Sequence, residues 1–183
     1  MIGVCGDAWH NMRISPGSET LQDIEEARQD YLSLRENISS LQIATLGSEH
    51  TPEASYAPFV WHDNACYLFL SDLAKHTRNL YLNPSISVMM IEDEAQARNK
   101  FARRRIVLQG RVQMIDRDQA LFETVLIKFR ARFGEVMKLL EPLQDFHLFQ
   151  VTPSSGRFIR GFGQAYTLAG DGFDELVHIN PGQ

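Results

Sequence analysis

The chain has 183 residues, 44% of them hydrophobic and 22% charged, with 23 acidic against 18 basic side chains and a formal net charge of -5. That length buries a core without disulfide or metal staples and fits one domain, while the acidic balance argues against a broad nucleic-acid-binding face, which needs basic charge spread over one surface. Cys5 and Cys66 form no CxxC pair, which excludes a cysteine zinc site; no apolar run reaches bilayer length and no secretory leader is visible, so a cytoplasmic protein without membrane contact is expected.

Residues 1–17 have no period and read as a flexible lead-in. From Ser18, Leu21, Ile24, Ala27, Tyr31, Leu34 and Ile38 recur every three or four residues, with Glu19, Asp23, Glu25 and Glu26 near the start, where the helix dipole favours acids. This predicts an amphipathic helix over 18–40. Leu41–Leu46 and Ala54–Trp61 are β-like runs around the connection 47–52, and Cys66–Leu70 is a strongly apolar third strand after the turn residues His62-Asp63-Asn64. Ala74–Leu82 changes to a helical period and closes at Asn83-Pro84. Ile86–Ile91 is a fourth strand, ended by Glu92-Asp93-Glu94.

Phe101–Asp116 is the segment around which the chain is organised. With a period of two it places Ile106, Leu108, Val112 and Met114 on one face and Arg103, Arg105, Val107, Gln109, Arg111 and Gln113 on the other. Three consecutive arginines, Arg103 to Arg105, in an acidic protein point to a local anion site. A second long helix starts at Asp116, with Ala120, Leu121, Val125, Phe129 and Phe133 on one face, and a short one spans Val136–Leu143. His147–Val151 and Arg157–Leu168 read as the last two strands, joined by Pro153–Gly156; Gly161 and Gly163 suggest a bulge or close backbone approach. Residues 171–183 form an acidic, turn-rich tail. The fold expected is α+β: one domain over 18–170, an antiparallel six- to seven-stranded barrel with flanking helices.

Seven blocks then occur in order: Ser55-Tyr56-Ala57-Pro58-Phe59, Lys75-His76-Thr77-Arg78-Asn79-Leu80, Asn83-Pro84, Met89-Met90-Ile91-Glu92-Asp93, Phe101-Ala102-Arg103-Arg104-Arg105, Leu143-Gln144-Asp145-Phe146 and Gly161-Phe162-Gly163-Gln164-Ala165-Tyr166. Over residues 41–178 they closely resemble the haem-utilisation HugZ/HutZ proteins, a branch of the pyridoxamine 5'-phosphate oxidase-like, FMN-binding split barrels. The resemblance implies a homodimeric split barrel with two equivalent ligand clefts where the subunits meet. It implies haem as cofactor, with FMN as the alternative from the oxidase branch. Three readings follow: a haem-binding protein that degrades haem oxidatively to release iron, an FMN-dependent oxidoreductase, and a non-enzymatic haem or flavin carrier.

The resemblance also assigns residues. The region that holds the flavin phosphate corresponds to Ser71, Lys75, His76, Arg78 and Arg105. His76 stands where the oxidases carry a lysine, and Arg105 stands where they carry a glutamine. Arg105 has a counterpart in the haem branch's arginine cluster, and Asp145 matches an aspartate that orients the axial histidine across the dimer. The terminal ligand position falls on Gln183, which leaves His178 as the candidate iron ligand. Each assignment has a plainer counterpart. Arg103 to Arg105 could be a solvated strand end paired with Glu92, Asp93 or Glu94, against a bidentate hold by Arg105 on a phosphate or propionate. His76 could be a surface histidine, against a neutral imidazole kept so by its cationic neighbours Lys75 and Arg78. Asp145 could be a turn residue, Ser55 and Tyr56 ordinary strand residues, and His178 part of the tail. His10, His50 and His62 read as loop residues. No HExxH, Gly-x-Ser-x-Gly, phosphate-loop or dinucleotide motif occurs.

Overall fold

A computed structural model describes residues 20–179. In chain order it contains α1 (Leu21–Asn37), β1 (Ser40–Leu46), β2 (Pro52–His62), β3 (Ala65–Ser71), α2 (Lys75–Leu82), β4 (Ser85–Ile91), β5 (Arg105–Ile115), α3 (Ala120–Phe133), α4 (Val136–Leu140), β6 (Phe146–Gly161), β7 (Gln164–Ala169) and β8 (Glu175–His178). The sheet order is β3-β2-β1-β4-β5-β6-β7-β8, and an additional β3–β6 pairing closes the first six strands into an antiparallel barrel. This is the expected α+β split barrel. Strands β7 and β8 continue the sheet beyond the closed part, which takes the strand number to eight.

α1 begins at a capping box: Thr20 Oγ1 accepts from the Asp23 N–H at 3.2 Å, and the Asp23 carboxylate accepts from the Thr20 N–H at 2.9 Å. Two orphan donors of the first turn are thereby satisfied. At the other end Arg132 of α3 donates to the carbonyls of Glu36 and Ile38 at 2.9 and 2.6 Å, so α3 caps α1. Ala27, Tyr31 and Leu34 of α1 enter the barrel core with Ile43, Phe59, Met90, Ile106, Leu108, Phe158 and Tyr166. Leu21, expected on that face, is the first residue of the helix and is exposed.

A second core lies outside the barrel wall, where Phe122, Val125, Leu126, Phe129 and Met137 of α3 and α4 cover Val60, Tyr67, Phe69, Ile115 and Leu148. The apolar side of β5 therefore changes along its length. Ile106 and Leu108 point inward, Ile115 points outward under α3, and Met114, expected in the core, is 42% exposed.

The C-terminal half departs most from expectation. β6 runs without a break through Pro153, where a connection was expected, because the β5 partner shifts from Ser155 to Pro153 between Gln109 and Gly110. A bulge at this point accommodates a residue with no N–H to give to the ladder. The close approach also demands Gly110: a Cβ there would stand 2.2 Å from the Thr152 carbonyl oxygen. The strand expected over Arg157–Leu168 is divided by a turn in which Gly163 has φ 69°, a left-handed conformation that suits glycine, and the suspected bulge is found between Ile159 and Gly161. Part of the tail read as turn-rich is β8, paired with β7. β5 itself begins at Arg105, since Lys100–Ala102 form a short 3-10 turn and Arg103 and Arg104 precede the ladder.

Candidate functional site

The strand registers define a face that no helix of the second core covers. Tyr56 pairs with Gln42, Gln42 with Met89, Met89 with Val107, Val107 with Arg157, Arg157 with Thr167 and Thr167 with Val177, and paired residues share a face. This row crosses seven strands. Arg105 lies two residues from Val107 on the same side, beside Ile91 and Ile159. Tyr56, 72% exposed, belongs to this face, whereas its neighbour Ser55 pairs with Ile43 and points toward the barrel interior.

Part of the face is the floor of an open cleft of about 1160 Å³, lined by Gln42, Tyr56, Met89, Ile91, Arg103 and Arg104 and walled by the end of α1 and the 92–96 loop. The three arginines differ in their partners. The Arg103 guanidinium donates to the Glu92 carbonyl and lies 3.9 Å from Glu94. Arg104 donates through Nε to the Glu92 carboxylate at 2.7 Å and reaches Asp30 at 3.4 Å. Glu92 is 8% exposed, so loss of that pairing would leave a buried polar group without its partner. Asp30 also accepts from Arg160 Nε at 2.6 Å, which fastens α1 to the loop and to β6. Arg103 and Arg104 thus both have acidic neighbours of the kind the plainer account names, Arg104 by a close ion pair and Arg103 at longer range. Arg105 makes only a 3.0 Å hydrogen bond to the Arg103 carbonyl, and among the described residues no carboxylate pairs with it.

A second group sits at the barrel mouth closed by α2. His76 Nδ1 lies 2.9 Å from Ser55 Oγ, and Lys75 Nζ lies 2.5 Å from the Glu53 carboxylate. Burial lowers the His76 pKa, with Glu53 opposing the shift. The neutral imidazole was expected; its cause is desolvation rather than the neighbouring cations, since Glu53 neutralises Lys75 and Arg78 points to solvent. Glu53 is thus a participant that the sequence reading missed.

A third group joins the end of β3 to the start of β6. Ser71 Oγ donates to Asp145 Oδ2 at 2.7 Å, and the Asp72 N–H donates to the Asp145 carbonyl at 2.8 Å. Arg117 donates to the carbonyls of Glu141, Leu143 and Phe146 at 3.0, 2.7 and 2.9 Å, bracing the turn that carries Asp145. Nothing in the local sequence marked Arg117, because all three acceptors are backbone atoms remote in the chain. His178 is on β8, its Nε2 3.1 Å from the Gly163 carbonyl and its ring 5.3 Å from that of Tyr166. The registers Ile106–Phe158–Tyr166–His178 put it on the opposite side of the sheet from Arg105. Within one subunit the predicted residues thus form separate groups: Tyr56, Arg103 and Arg105 on the open face, Ser55, Lys75 and His76 at the mouth, Ser71 with Asp145 at a corner, and His178 across the sheet. Gln183 lies outside the described residues.

A six-stranded antiparallel barrel closed by β3–β6, with an arginine-bearing outer face left uncovered, is the architecture of the FMN-binding split-barrel class. The family model described as pyridoxamine 5'-phosphate oxidase matches residues 25–160. The chain is 42% identical over 160 residues to the haem oxygenase HutZ of Vibrio cholerae, covering 87% of each protein. The crystal structure of HutZ, described as the haem storage protein of Vibrio cholerae, superposes with a TM-score of 0.67 at 39% identity, over 69% of this chain and 89% of that one. The structure of Campylobacter jejuni ChuZ gives 0.77 at 27% identity, over 87% of this chain and 66% of that one. The chain belongs to the HugZ/HutZ branch of the pyridoxamine 5'-phosphate oxidase-like family. Among the described residues no helix is long and apolar enough to cross a membrane.

Proposed function

We propose that the protein binds haem as a cytoplasmic homodimer serving haem-iron utilisation, in clefts formed where the uncovered sheet face meets the same face of a second copy. The observation that carries this is Arg105. Alone of the three arginines it has no carboxylate partner among the described residues, and it stands on the open face at the position the family resemblance assigns to ligand binding. A guanidinium in that state suits bidentate capture of a propionate. Tyr56, Met89 and Ile91 on the same face offer aromatic and apolar surface to a flat macrocycle.

Arg103, Lys75 and Arg78 contribute positive charge around the anionic groups, with Lys75 partly spent on Glu53. Ser55 and the neutral His76 at the barrel mouth, and Ser71 at the Asp145 corner, are hydrogen-bonding groups that a second subunit would have to bring to the cleft. Haem iron would need a nitrogen donor from the chain. His178, the histidine that the family resemblance leaves for iron, is the donor proposed; from its place on β8, on the other side of the sheet from Arg105, it would have to reach a cleft through the dimer or by a turn of the tail. Asp145, supplied by the opposite subunit, is proposed to orient that histidine, as carboxylates do for ligating imidazoles. Bound haem supplies the oxygen chemistry; the chain anchors, orients and encloses it.

FMN is the second reading, favoured by the family match and by a phosphate's equal suitability for Arg105. Absorption spectra of the purified protein with added haem and with added FMN separate the two. A Soret band saturating near one haem per subunit, from a dimer by light scattering, is expected. Flavin bands with no haem uptake overturn the haem reading. Vibrio cholerae HutZ bears both an oxygenase and a storage description, and loss of the Soret band under oxygen with a reductant distinguishes enzyme from carrier here.

A further inference from the structure

The corner that carries Asp145 contains three more titratable side chains joined in a chain of hydrogen bonds. Asp72, in the connection from β3 to α2, accepts at Oδ1 from the Tyr81 hydroxyl at 2.7 Å, and its Oδ2 lies 3.0 Å from His147 Nε2. Those bonds hold the Asp72 carboxyl below the usual range, Tyr81 first and His147 second, while desolvation, followed by the Asp72 bond and charge, raises Tyr81 to about 12. An ionised Asp72 only accepts, so the His147 proton it binds sits on Nε2. The Tyr81 ring lies edge-on to His147 at 6.3 Å and packs 5.9 Å from Phe149. Asp72 and Ser71 are also the two residues that hold Asp145, one through its carbonyl and the other through Oδ2.

Tyr81 and His147 engage one oxygen each of Asp72 and hold its side chain in place, and with it the backbone N–H that binds the Asp145 carbonyl. Ser71 takes Asp145 Oδ2; among the described residues Oδ1 has no hydrogen-bond partner and is the oxygen left to an incoming group. We infer that Tyr81, Asp72 and His147 are positioning residues, a side-chain clamp that fixes the Asp145 carboxylate in the orientation in which Oδ1 would meet the histidine that holds the haem. This rests on the haem reading for the identity of what Oδ1 meets. The clamp itself is a property of the subunit alone.

The test uses the full chain as its dimer with haem. His147→Leu shifts the Soret band in the same direction as Asp145→Asn and weakens haem binding about tenfold, a difference of about 1.4 kcal/mol. The double variant is no weaker than Asp145→Asn alone, and His147→Gln, whose amide N–H still donates to Asp72, restores the wild-type spectrum. Additive losses, or a His147→Leu spectrum identical to wild type, overturn the inference. A second readout needs no haem. The side-chain carboxyl carbon of Asp145, followed by NMR in the haem-free dimer at a single pH, is displaced in His147→Leu and in Asp72→Asn and returns to its wild-type position in His147→Gln. Absence of a Soret band in the wild type sinks the haem reading and leaves this carboxyl shift to decide the clamp. An Asp145 carboxyl carbon unmoved in His147→Leu sinks the clamp.

Discussion

Ser71 Oγ donates to Asp145 Oδ2 across 74 positions of the chain, so the carboxylate that the family resemblance places opposite the ligand is held by its own subunit before any partner arrives. A hydrogen bond to a charged acceptor contributes about 1.5–3 kcal/mol when well made, less where water reaches it. Ser71→Ala and Asp145→Asn, measured singly and together by urea unfolding, should therefore couple by about 1 kcal/mol. Purely additive effects would mean that the bond contributes nothing to stability.

Arg104 is expected to be structural. Arg104→Met leaves Glu92, 8% exposed, without its 2.7 Å partner and loosens the link through Asp30 to α1. Because the guanidinium is 40% exposed, the full penalty for a buried unpaired charge is reduced to about 1–2 kcal/mol. Glu92→Gln in the Arg104→Met background should recover part of that loss in a denaturant titration.

The lowered pKa of His76 gives a defined pH effect. Its folded value lies below the ordinary histidine value of about 6.5 through burial, so the folded state resists taking up the proton that the unfolded chain accepts. No stability is lost to this group above about pH 6.5. As pH falls below that value stability declines, until the folded pKa is passed. Proton NMR should show a His76 midpoint under 6.5, and His76→Asn should flatten the acid-side slope of stability against pH.

Gly110→Ala tests the continuity of β6. A Cβ 2.2 Å from the Thr152 carbonyl oxygen forces the backbones of β5 and β6 apart at the bulge. Overpacking of this kind costs about 1–3 kcal/mol or more when backbone must move. A fall in melting temperature is expected, whereas a neutral outcome would show that β6 is interrupted at Pro153.

Much of this fold was legible because short apolar runs, turn residues and the shift to helical period at Lys75 reflect local chemistry. What escaped depended on distant partners. Arg103 and Arg104 resemble Arg105 in sequence, and only Glu92, Glu94 and Asp30, the last 74 positions from Arg104, separate two arginines with acidic neighbours from one that has none among the described residues. Pro153 signals an end of strand by every local rule, yet a bulge opposite Gly110 carries β6 through it. Ser55 and Tyr56 were grouped as neighbours, and the strand period sends them to opposite sides of the barrel wall. The clamp on Asp145 left no trace, since Asp72, Tyr81 and His147 come from three elements that meet only when β3 pairs with β6.

The most direct test is a haem titration of the wild type beside Arg105→Ala, followed at the Soret band, with dimer content checked by light scattering. Saturation near one haem per subunit in the wild type, and at least about tenfold weaker binding by an intact dimer in the variant, is the result expected. Equal affinity in the two proteins, or no Soret band in either, would contradict the assignment of Arg105 to a haem propionate.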